Sequence, residues 1–160
     1  MDSKKVAVIG GGAAGFFAAL SVKEHHPNHQ VTLFEKTSKV LSKVKISGGG
    51  RCNVTHNCTD ISKLCEAYPR GGTKLRSLFS QFNTTDTVDW FENRNILLKT
   101  EKDGRIFPIS DKSQTIIDCL VSETIRLKID LQLGKSIEQM NQQGEGWKLQ
   151  FKNLPTQHFD

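Results

Sequence analysis

The sequence lacks any run of about 18 consecutive apolar residues, so it predicts no membrane-spanning helix and no membrane partner. Its four cysteines lack C-x-x-C spacing, which argues against a zinc ribbon or a thioredoxin-like redox pair, and no metal site is predicted. No apolar leader precedes the first predicted strand, so a signal peptide is not expected. Together these absences predict a cytoplasmic protein with reduced thiols.

Long runs of charge of one sign are missing as well. The formal net charge is +5, but the 22 lysines and arginines are spread along the chain and are not interleaved with aromatic residues. This distribution favours a solvated basic surface, with some lysines near an anionic cofactor, over a nucleic-acid platform, and no nucleic-acid partner is expected. The length of 160 residues and the 36% hydrophobic content predict one folded domain over residues 1–160.

A glycine-rich turn directly behind the first apolar strand is the most informative pattern near the N-terminus. Gly10, Gly12 and Gly15 fit G-x-G-x-x-G, and Glu35 closes the second apolar strand twenty residues beyond Gly15. Gly10 permits the tight turn, Gly12 lets backbone approach a pyrophosphate, and Gly15 lets the following helix pack closely on the sheet. The helix is predicted to begin near Ala13 with its N–H groups toward the phosphates. Glu35 would accept hydrogen bonds from ribose hydroxyls, so the unit is predicted to bind a dinucleotide.

Hydrophobic periodicity predicts strand, helix and strand, then a mostly helical excursion at about 53–128, a third strand at Asp130–Leu133 and a small antiparallel β-meander of two strands, at 136–140 and 147–151. Within the excursion, a β-hairpin is predicted at about 97–107. Three parallel strands in the order 3-2-1 would make half of a doubly wound sheet, so the predicted fold class is α/β, a partial Rossmann-like domain with three layers. Helical spacing also predicts core positions on two helices, at Leu75, Leu78, Phe79 and Phe82 on the first and at Ile116, Ile117, Leu120, Val121 and Ile125 on the second.

A second glycine-rich element, Ser47–Asn53, reads Ser-Gly-Gly-Gly-Arg-Cys-Asn and is called the glycine loop below. A nicotinamide-only domain needs one phosphate-binding turn and gives no reason for this loop. A flavin dinucleotide gives one, because its ribityl chain and ring extend beyond the pyrophosphate and need backbone contact without intervening side chains. Arg51 and Asn53 are candidates for orienting the ring or a substrate carboxylate. The alternative interpretation is a flexible surface loop.

Two longer stretches carry a family resemblance: Ile46–Thr55, which contains the glycine loop, and Lys99–Lys112, which contains Gly-Arg-Ile-Phe-Pro. With these motifs, nearly the whole chain resembles the bacterial flavoprotein family called HI0933-like or BaiN-like. Its members are NAD(P)/FAD-dependent oxidoreductases of the glutathione-reductase-type fold, some of them aminoacetone oxidases. The resemblance implies FAD as the cofactor, NAD(P)H as a candidate electron donor, and hydride or electron transfer by the flavin on a small organic substrate.

The resemblance also implies which residues bind FAD. These are Gly10, Gly12, Ala13, Ala14 and Gly15 at the pyrophosphate, Glu35 at the ribose, Lys36 and Lys43 along the adenosine and phosphates, Ser47, Gly48, Gly49, Gly50, Arg51 and Asn53 at the ribityl chain and flavin, and Ile137 with its backbone against adenine. The sequence departs from the family at Leu41-Ser42, where Gly-Arg is usual, and at Lys45, where an apolar residue is common. No catalytic residue is assigned; Arg51, Cys52 and His56 are the nearest candidates.

Members of the resembled family are much longer than 160 residues. Relative to them, the sequence does not show a later parallel strand, an inserted substrate-side domain or a C-terminal segment that closes over the flavin. We therefore expect the FAD-binding part of a flavoenzyme. Two alternatives stay open: a dinucleotide-binding module without independent turnover, and an RNA-modifying flavoprotein domain. The sequence makes no prediction of the oligomeric state, the particular substrate or the electron acceptor.

Overall fold

The computed structural model describes residues 2–152 and 154–160, and the chain divides into two compact units. The first comprises Met1–Val44 and Leu120–Asp160, and the second comprises Lys45–Cys119. The helices are α1 Ala13–His25, α2 Ser42–Gly50, α3 Ile61–Glu66, α4 Gly72–Phe79, α5 Thr84–Glu92 and α6 Ser113–Arg126; the strands are β1 Lys5–Ile9, β2 Gln30–Glu35, β3 Thr55–His56, β4 Leu98–Thr100, β5 Arg105–Pro108, β6 Asp130–Leu133, β7 Ile137–Gln143, β8 Gly146–Phe151 and β9 Gln157–Phe159. Within the described ranges, no helix is both long and apolar enough to cross a membrane.

The first unit is built on a parallel sheet in the order β1-β2-β6. Val8 of β1 pairs with Leu33 of β2, and Phe34 pairs with Gln132 of β6. Both pairings are parallel, and parallel strands need long connections between them. In the sequence, α1 connects β1 to β2, and residues 36–129, which include the second unit, connect β2 to β6. The predicted α/β class and the strand order 3-2-1 are therefore confirmed.

Alternation along β2 places side chains on both faces of this sheet. Leu33 is fully buried on the face covered by α1, where a Cβ on Gly15 would lie 3.4 Å from its side chain. Phe34 points to the opposite face, where its ring lies 5.1 Å from that of Phe151 and 5.8 Å from that of Phe159. The meander β7-β8-β9 therefore forms the third layer. The sequence predicted only two of its strands, because β9 has three residues and too short an alternation to detect.

The second unit combines α3, α4 and α5 with a small antiparallel sheet in the order β3-β5-β4. The predicted hairpin is confirmed as β4 and β5, in which Lys99 pairs with Phe107. Ile106 and Phe107 are almost completely buried and form the centre of the sheet. The two-residue strand β3 adds to the other side of β5, where Thr55 pairs with Ile106. Helix α5 begins at a capping box, in which the Asn83 N–H donates to Asp86.

Three predicted core positions are wrong. Leu78 is 59% exposed, Phe82 is 39% exposed and Ile125 is 73% exposed. Helical spacing does identify the buried residues of α6, such as Ile116 and Leu120, because several turns of that helix share one covered face. Helix α4 has only eight residues, so its spacing does not distinguish a covered face from an open one.

The close approach of α1 to β1 gives a testable prediction. A Cβ atom on Gly15 would lie 1.8 Å from the carbonyl oxygen of Gly10, a backbone atom that cannot rotate away. We expect Gly15→Ala to lower the free energy of unfolding by about 3 kcal/mol, measured by urea denaturation.

The matched control is Gly12→Ala, since a Cβ there meets no described atom within 4 Å and the residue has a φ of −91°. It should cost at most about 1 kcal/mol, the loss of a glycine N-cap. Equal destabilisation by the two substitutions would contradict the packing role of Gly15.

Candidate functional site

The turn between β1 and α1 presents the start of a helix to open space. Gly10 has a φ of 106°, in the region that favours glycine, and its N–H donates to the carbonyl oxygen of Phe34 at 2.8 Å. Gly12 is the N-cap of α1, and no side chain among the described residues caps this end. The first N–H groups of the helix, at Ala13 and Ala14, have no intrahelical partner. The positive end of the helix dipole therefore faces a space that an anionic group fits.

The carboxylate of Glu35 is bound to the same turn. One of its oxygens accepts the Gly11 N–H at 2.8 Å, and the other accepts the N–H and the hydroxyl of Thr37, each at 2.8 Å. Partial burial raises the pKa of the Glu35 carboxyl, but these hydrogen bonds lower it more, so the pKa lies below its ordinary value of 4.5. The ionised carboxylate keeps further lone pairs that can accept hydroxyl donors.

The connection after β2 contacts the turn through backbone. Leu41 is buried, its N–H donates to the carbonyl oxygen of Gly11 at 2.8 Å, and its φ is 54°. Glycine is the usual residue at this position in the resembled family. The left-handed conformation is the physical reason, because glycine adopts it without strain. The following residues begin α2 at Ser42, a helix that the sequence pattern does not predict. Lys43 lies on α2 and is exposed.

Two other predicted residues lie in the first unit. Lys36 is exposed and borders a cleft of about 250 Å³ that is also lined by Lys135 and Lys152. Ile137 is the first residue of β7, next to this cleft, and pairs with Phe151. The cleft therefore places positive charge close to the backbone of Ile137, as contact with an adenosine phosphate would require.

The glycine loop belongs to the second unit and begins inside α2, whose helical backbone is interrupted at Ser47, Gly48 and Gly49. The φ values of Gly48, Gly49 and Gly50 are 55°, 68° and 86°. A Cβ on Gly48 would lie 2.8 Å from the Phe107 ring and 2.9 Å from the backbone nitrogen of Asn53, whereas a Cβ on Gly49 meets no atom of the described chain within 4 Å. Gly48 thus packs on the hairpin, and Gly49 leaves backbone open to an approaching group.

The side chains of Arg51 and Asn53 are engaged within the protein. The Arg51 guanidinium lies 2.5 Å from a carboxylate oxygen of Glu101 and 3.6 Å from one of Asp111, and it stacks 4.0 Å above the centre of the Phe107 ring. The hydrogen bond to Glu101 raises the pKa of Arg51, with the charges of both carboxylates adding to it. No local sequence pattern predicts these partners, because 50 residues separate Arg51 from Glu101.

Asn53 and the two remaining catalytic candidates, Cys52 and His56, also have structural contacts. The amide nitrogen of Asn53, in the orientation that satisfies both groups, donates to the carbonyl oxygens of Thr55 and Ile106. Burial raises the pKa of the Cys52 thiol, despite a hydrogen bond with Ser47, and this favours the unreactive protonated form. The His56 ring covers Gly104, since a Cβ on that glycine would lie 2.5 Å from the ring. In the part of the chain that the structure describes, no cluster of three or more His, Cys, Asp or Glu is placed to hold a metal ion.

Comparison with known families decides the relationship that these features indicate. The family described as the HI0933-like protein Rossmann domain matches residues 4–158. The chain belongs to the HI0933-like family. The resemblance predicted from the glycine loop and the Gly-Arg-Ile-Phe-Pro motif is therefore confirmed.

Curated relatives of this HI0933-like chain carry two kinds of name. A 3-dehydro-bile acid delta(4,6)-reductase of Clostridium scindens is 27% identical over 143 residues, which cover 89% of the chain and 34% of the relative. A ribosomal RNA dihydrouridine synthase of Escherichia coli is 25% identical over 154 residues, which cover 96% of the chain and 37% of the relative. The chain thus spans about a third of the length of the curated relatives it matches.

Solved structures agree with the fold of this HI0933-like chain. A 3-ketosteroid-delta4-(5alpha)-dehydrogenase of Rhodococcus jostii RHA1 superposes with a TM-score of 0.67 at 11% identity, covering 97% of this chain and 44% of that one. A flavocytochrome c3 fumarate reductase superposes with a TM-score of 0.66 at 23% identity, covering 98% and 32%. These likenesses show a shared Rossmann-type fold.

The hydrogen bonds of Glu35 give a prediction on pH dependence. Because its folded pKa is depressed, its stabilisation is fully present above its ordinary pKa of 4.5 and is lost as the pH falls through the lower folded value. We expect Glu35→Gln to lower the free energy of unfolding by at most about 1 kcal/mol at neutral pH, since the site is partly solvated. The difference between the two proteins should shrink as the pH falls from 4.5 through the folded pKa, measured by urea denaturation over that range.

Glu138→Gln is the control, because Glu138 is an exposed carboxylate on β7. It should leave stability unchanged at each pH. A Glu35→Gln difference that stayed constant down to acid pH would show that the charge of Glu35 contributes nothing to the turn.

Proposed function

We propose that this chain is the FAD-binding portion, over residues 1–160, of a bacterial flavin-dependent oxidoreductase acting on a small organic substrate. The observation that carries the proposal is the open, uncapped N-terminus of α1 behind Gly10 and Gly12. The choice of a flavin over a nicotinamide rests on the glycine loop, whose left-handed glycines leave backbone accessible at Gly49. Membership of the HI0933-like family supports the same choice.

Each predicted contact has a physical role in this proposal. The N–H groups at Ala13 and Ala14 bind the pyrophosphate, with Gly10, Gly12 and Gly15 keeping side chains away. Glu35 accepts from the ribose hydroxyls with the lone pairs that Gly11 and Thr37 leave. The other proposed FAD contacts are made by Lys36 and Lys43 to the phosphates, by Ile137 to adenine, and by Ser47, Gly48, Gly49 and Gly50 to the flavin side of the cofactor.

When bound, FAD supplies hydride and electron transfer, with NAD(P)H as the proposed electron donor. The chain's own residues bind and orient. Glu35, ionised at neutral pH, holds the turn through Gly11 and disfavours a phosphate on the ribose 2′ position. The thiol of Cys52 is kept protonated by burial, so it takes no proposed part in electron transfer.

The comparisons bear on the substrate as well. The names of the relatives include a reductase of a 3-dehydro-bile acid, and one solved structure holds 4-androstene-3,17-dione. A small organic substrate agrees with these names. The chain spans about a third of its curated relatives, so the first test below also distinguishes an enzyme from a dinucleotide-binding module without independent turnover.

A pair of matched glycine substitutions tests FAD binding. Gly49 and Gly144 both have left-handed backbones, with φ values of 68° and 61°, and a Cβ on either meets no described atom within 4 Å. Gly49→Ala and Gly144→Ala should therefore each cost about 1 kcal/mol of stability. Only Gly49→Ala should weaken FAD binding, by about tenfold or more, since it adds a side chain where the flavin requires backbone.

FAD affinity is measured by quenching of flavin fluorescence. Turnover is measured as the oxidation of NADPH to NADP⁺, followed by the loss of NADPH absorbance. FAD binding without NADPH oxidation would assign the chain to the module without turnover. An unmutated chain that stays colourless and takes up no FAD would refute the proposal for this chain. Equal FAD affinity in the two variants would remove the glycine loop from the site.

A second candidate function is reduction of RNA, favoured by the Escherichia coli relative named ribosomal RNA dihydrouridine synthase and by the net charge of +5. A phosphate-binding surface would show a steep loss of RNA affinity with salt. Since the basic residues are spread along the sequence, we expect no retention of ribosomal RNA fragments at about 0.15 M salt. Saturable, salt-sensitive retention in a filter-binding assay would favour the RNA-directed function.

A further inference from the structure

The glycine loop needs an external support to hold its backbone. Three consecutive left-handed glycines have the largest conformational freedom to lose on folding. Outside α2, which contains Ser47–Gly50, the loop is closed by a 3.0 Å bond from the Cys52 N–H to the carbonyl oxygen of Ser47 and by a 3.4 Å contact from the Arg51 N–H to the carbonyl oxygen of Gly48. The second contact is long for a hydrogen bond, so backbone bonding holds the Arg51 end of the loop only weakly.

The hairpin β4–β5 and the residues after it surround the Arg51 side chain. Glu101 and Asp111 hold the guanidinium from its edge, and the Phe107 ring supports its face. The same ring fills the space beside Gly48 where a Cβ would lie. One aromatic side chain therefore contacts the loop at Gly48 and again at Arg51.

The charges around Arg51 balance. Lys99 pairs with Asp111, and Arg105 pairs with Asp103 at 2.7 Å and with Glu101 at 3.6 Å. With Arg51 included, the group holds three cations and three carboxylates. Such a balanced group offers little net attraction to the carboxylate of a free substrate.

We propose that Arg51 is a positioning residue, whose guanidinium clamps the glycine loop to Glu101, Asp111 and Phe107 so that the loop's backbone meets the flavin. The part of this proposal that concerns the flavin rests on the proposed function. Arginine suits the role because its planar fork binds carboxylates at the edge while its face stacks on an aromatic ring. A lysine ammonium has neither the fork nor the stacking face.

The clamp predicts that removing either partner gives the same defect. Arg51→Met and Glu101→Gln should each raise the amide hydrogen exchange of residues 47–53 in the FAD-free chain by about tenfold. Each should weaken FAD binding by about 5- to 10-fold, and the double variant should be no worse than Arg51→Met alone. Arg51→Lys should restore only part of the protection.

Arg105→Met is the matched control, because it removes a cation that pairs with the same Glu101, but the Arg105 guanidinium lies 5.5 Å from the centre of the Phe107 ring, against 4.0 Å for Arg51. It should change exchange and affinity by less than about twofold. The exchange measurement needs no cofactor, so it tests the clamp even if the unmutated chain takes up no FAD.

Two results would overturn the clamp. In the first, Arg51→Met loses FAD affinity while its loop exchange is unchanged, and Glu101→Gln keeps its FAD affinity. That combination would place Arg51 in direct contact with the ligand. The other is unchanged loop exchange in both variants. If Arg51→Met does not fold, the comparison of Glu101→Gln with Arg105→Met decides the question, because each of these keeps Arg51.

Discussion

The first unit depends on one close approach, that of Gly15 on α1 to the carbonyl oxygen of Gly10. Only glycine fits there, because a Cβ would lie 1.8 Å from a backbone atom. That contact fixes how α1 leaves β1, and so fixes where the uncapped helix terminus points. Leu33 packs under the same helix, and the opposite face of the sheet is closed by Phe34 and the meander. The space for an anion is therefore a consequence of backbone packing.

Each glycine-rich element is held by one charged side chain that has partners within the protein. Glu35 holds the turn after β1 through the N–H of Gly11, and Arg51 holds the glycine loop through Glu101. Charged side chains at such positions are usually assumed to bind the cofactor directly. Here each of the two also holds in place the backbone that would contact the cofactor. For Glu35 the two roles are compatible, since a carboxylate has lone pairs for both. For Arg51 the fork and the face are both engaged, which favours support over direct contact.

The sequence was a good guide where structure is local. The strands β1, β2 and β6, the helix α1 and the hairpin β4–β5 follow from periodicity, glycine spacing and a turn signal, and all are observed. Predictions failed where a neighbour decides burial, as at Leu78 and Ile125, which are exposed despite their helical spacing. They were also incomplete for β3 and β9, which are two and three residues long and exist because another strand pairs with them.

The sequence by itself determined the α/β class, the strand order 3-2-1, the family and the glycine positions at which a side chain would be in the way. These follow from short-range constraints, because a glycine spacing or a hydrophobic period acts within a few residues. Only the tertiary structure decided that Leu41 has a left-handed backbone and that Arg51 binds Glu101. Those features join residues that no local pattern links, since the free energy of an ion pair or a buried contact depends on which distant groups the fold brings together.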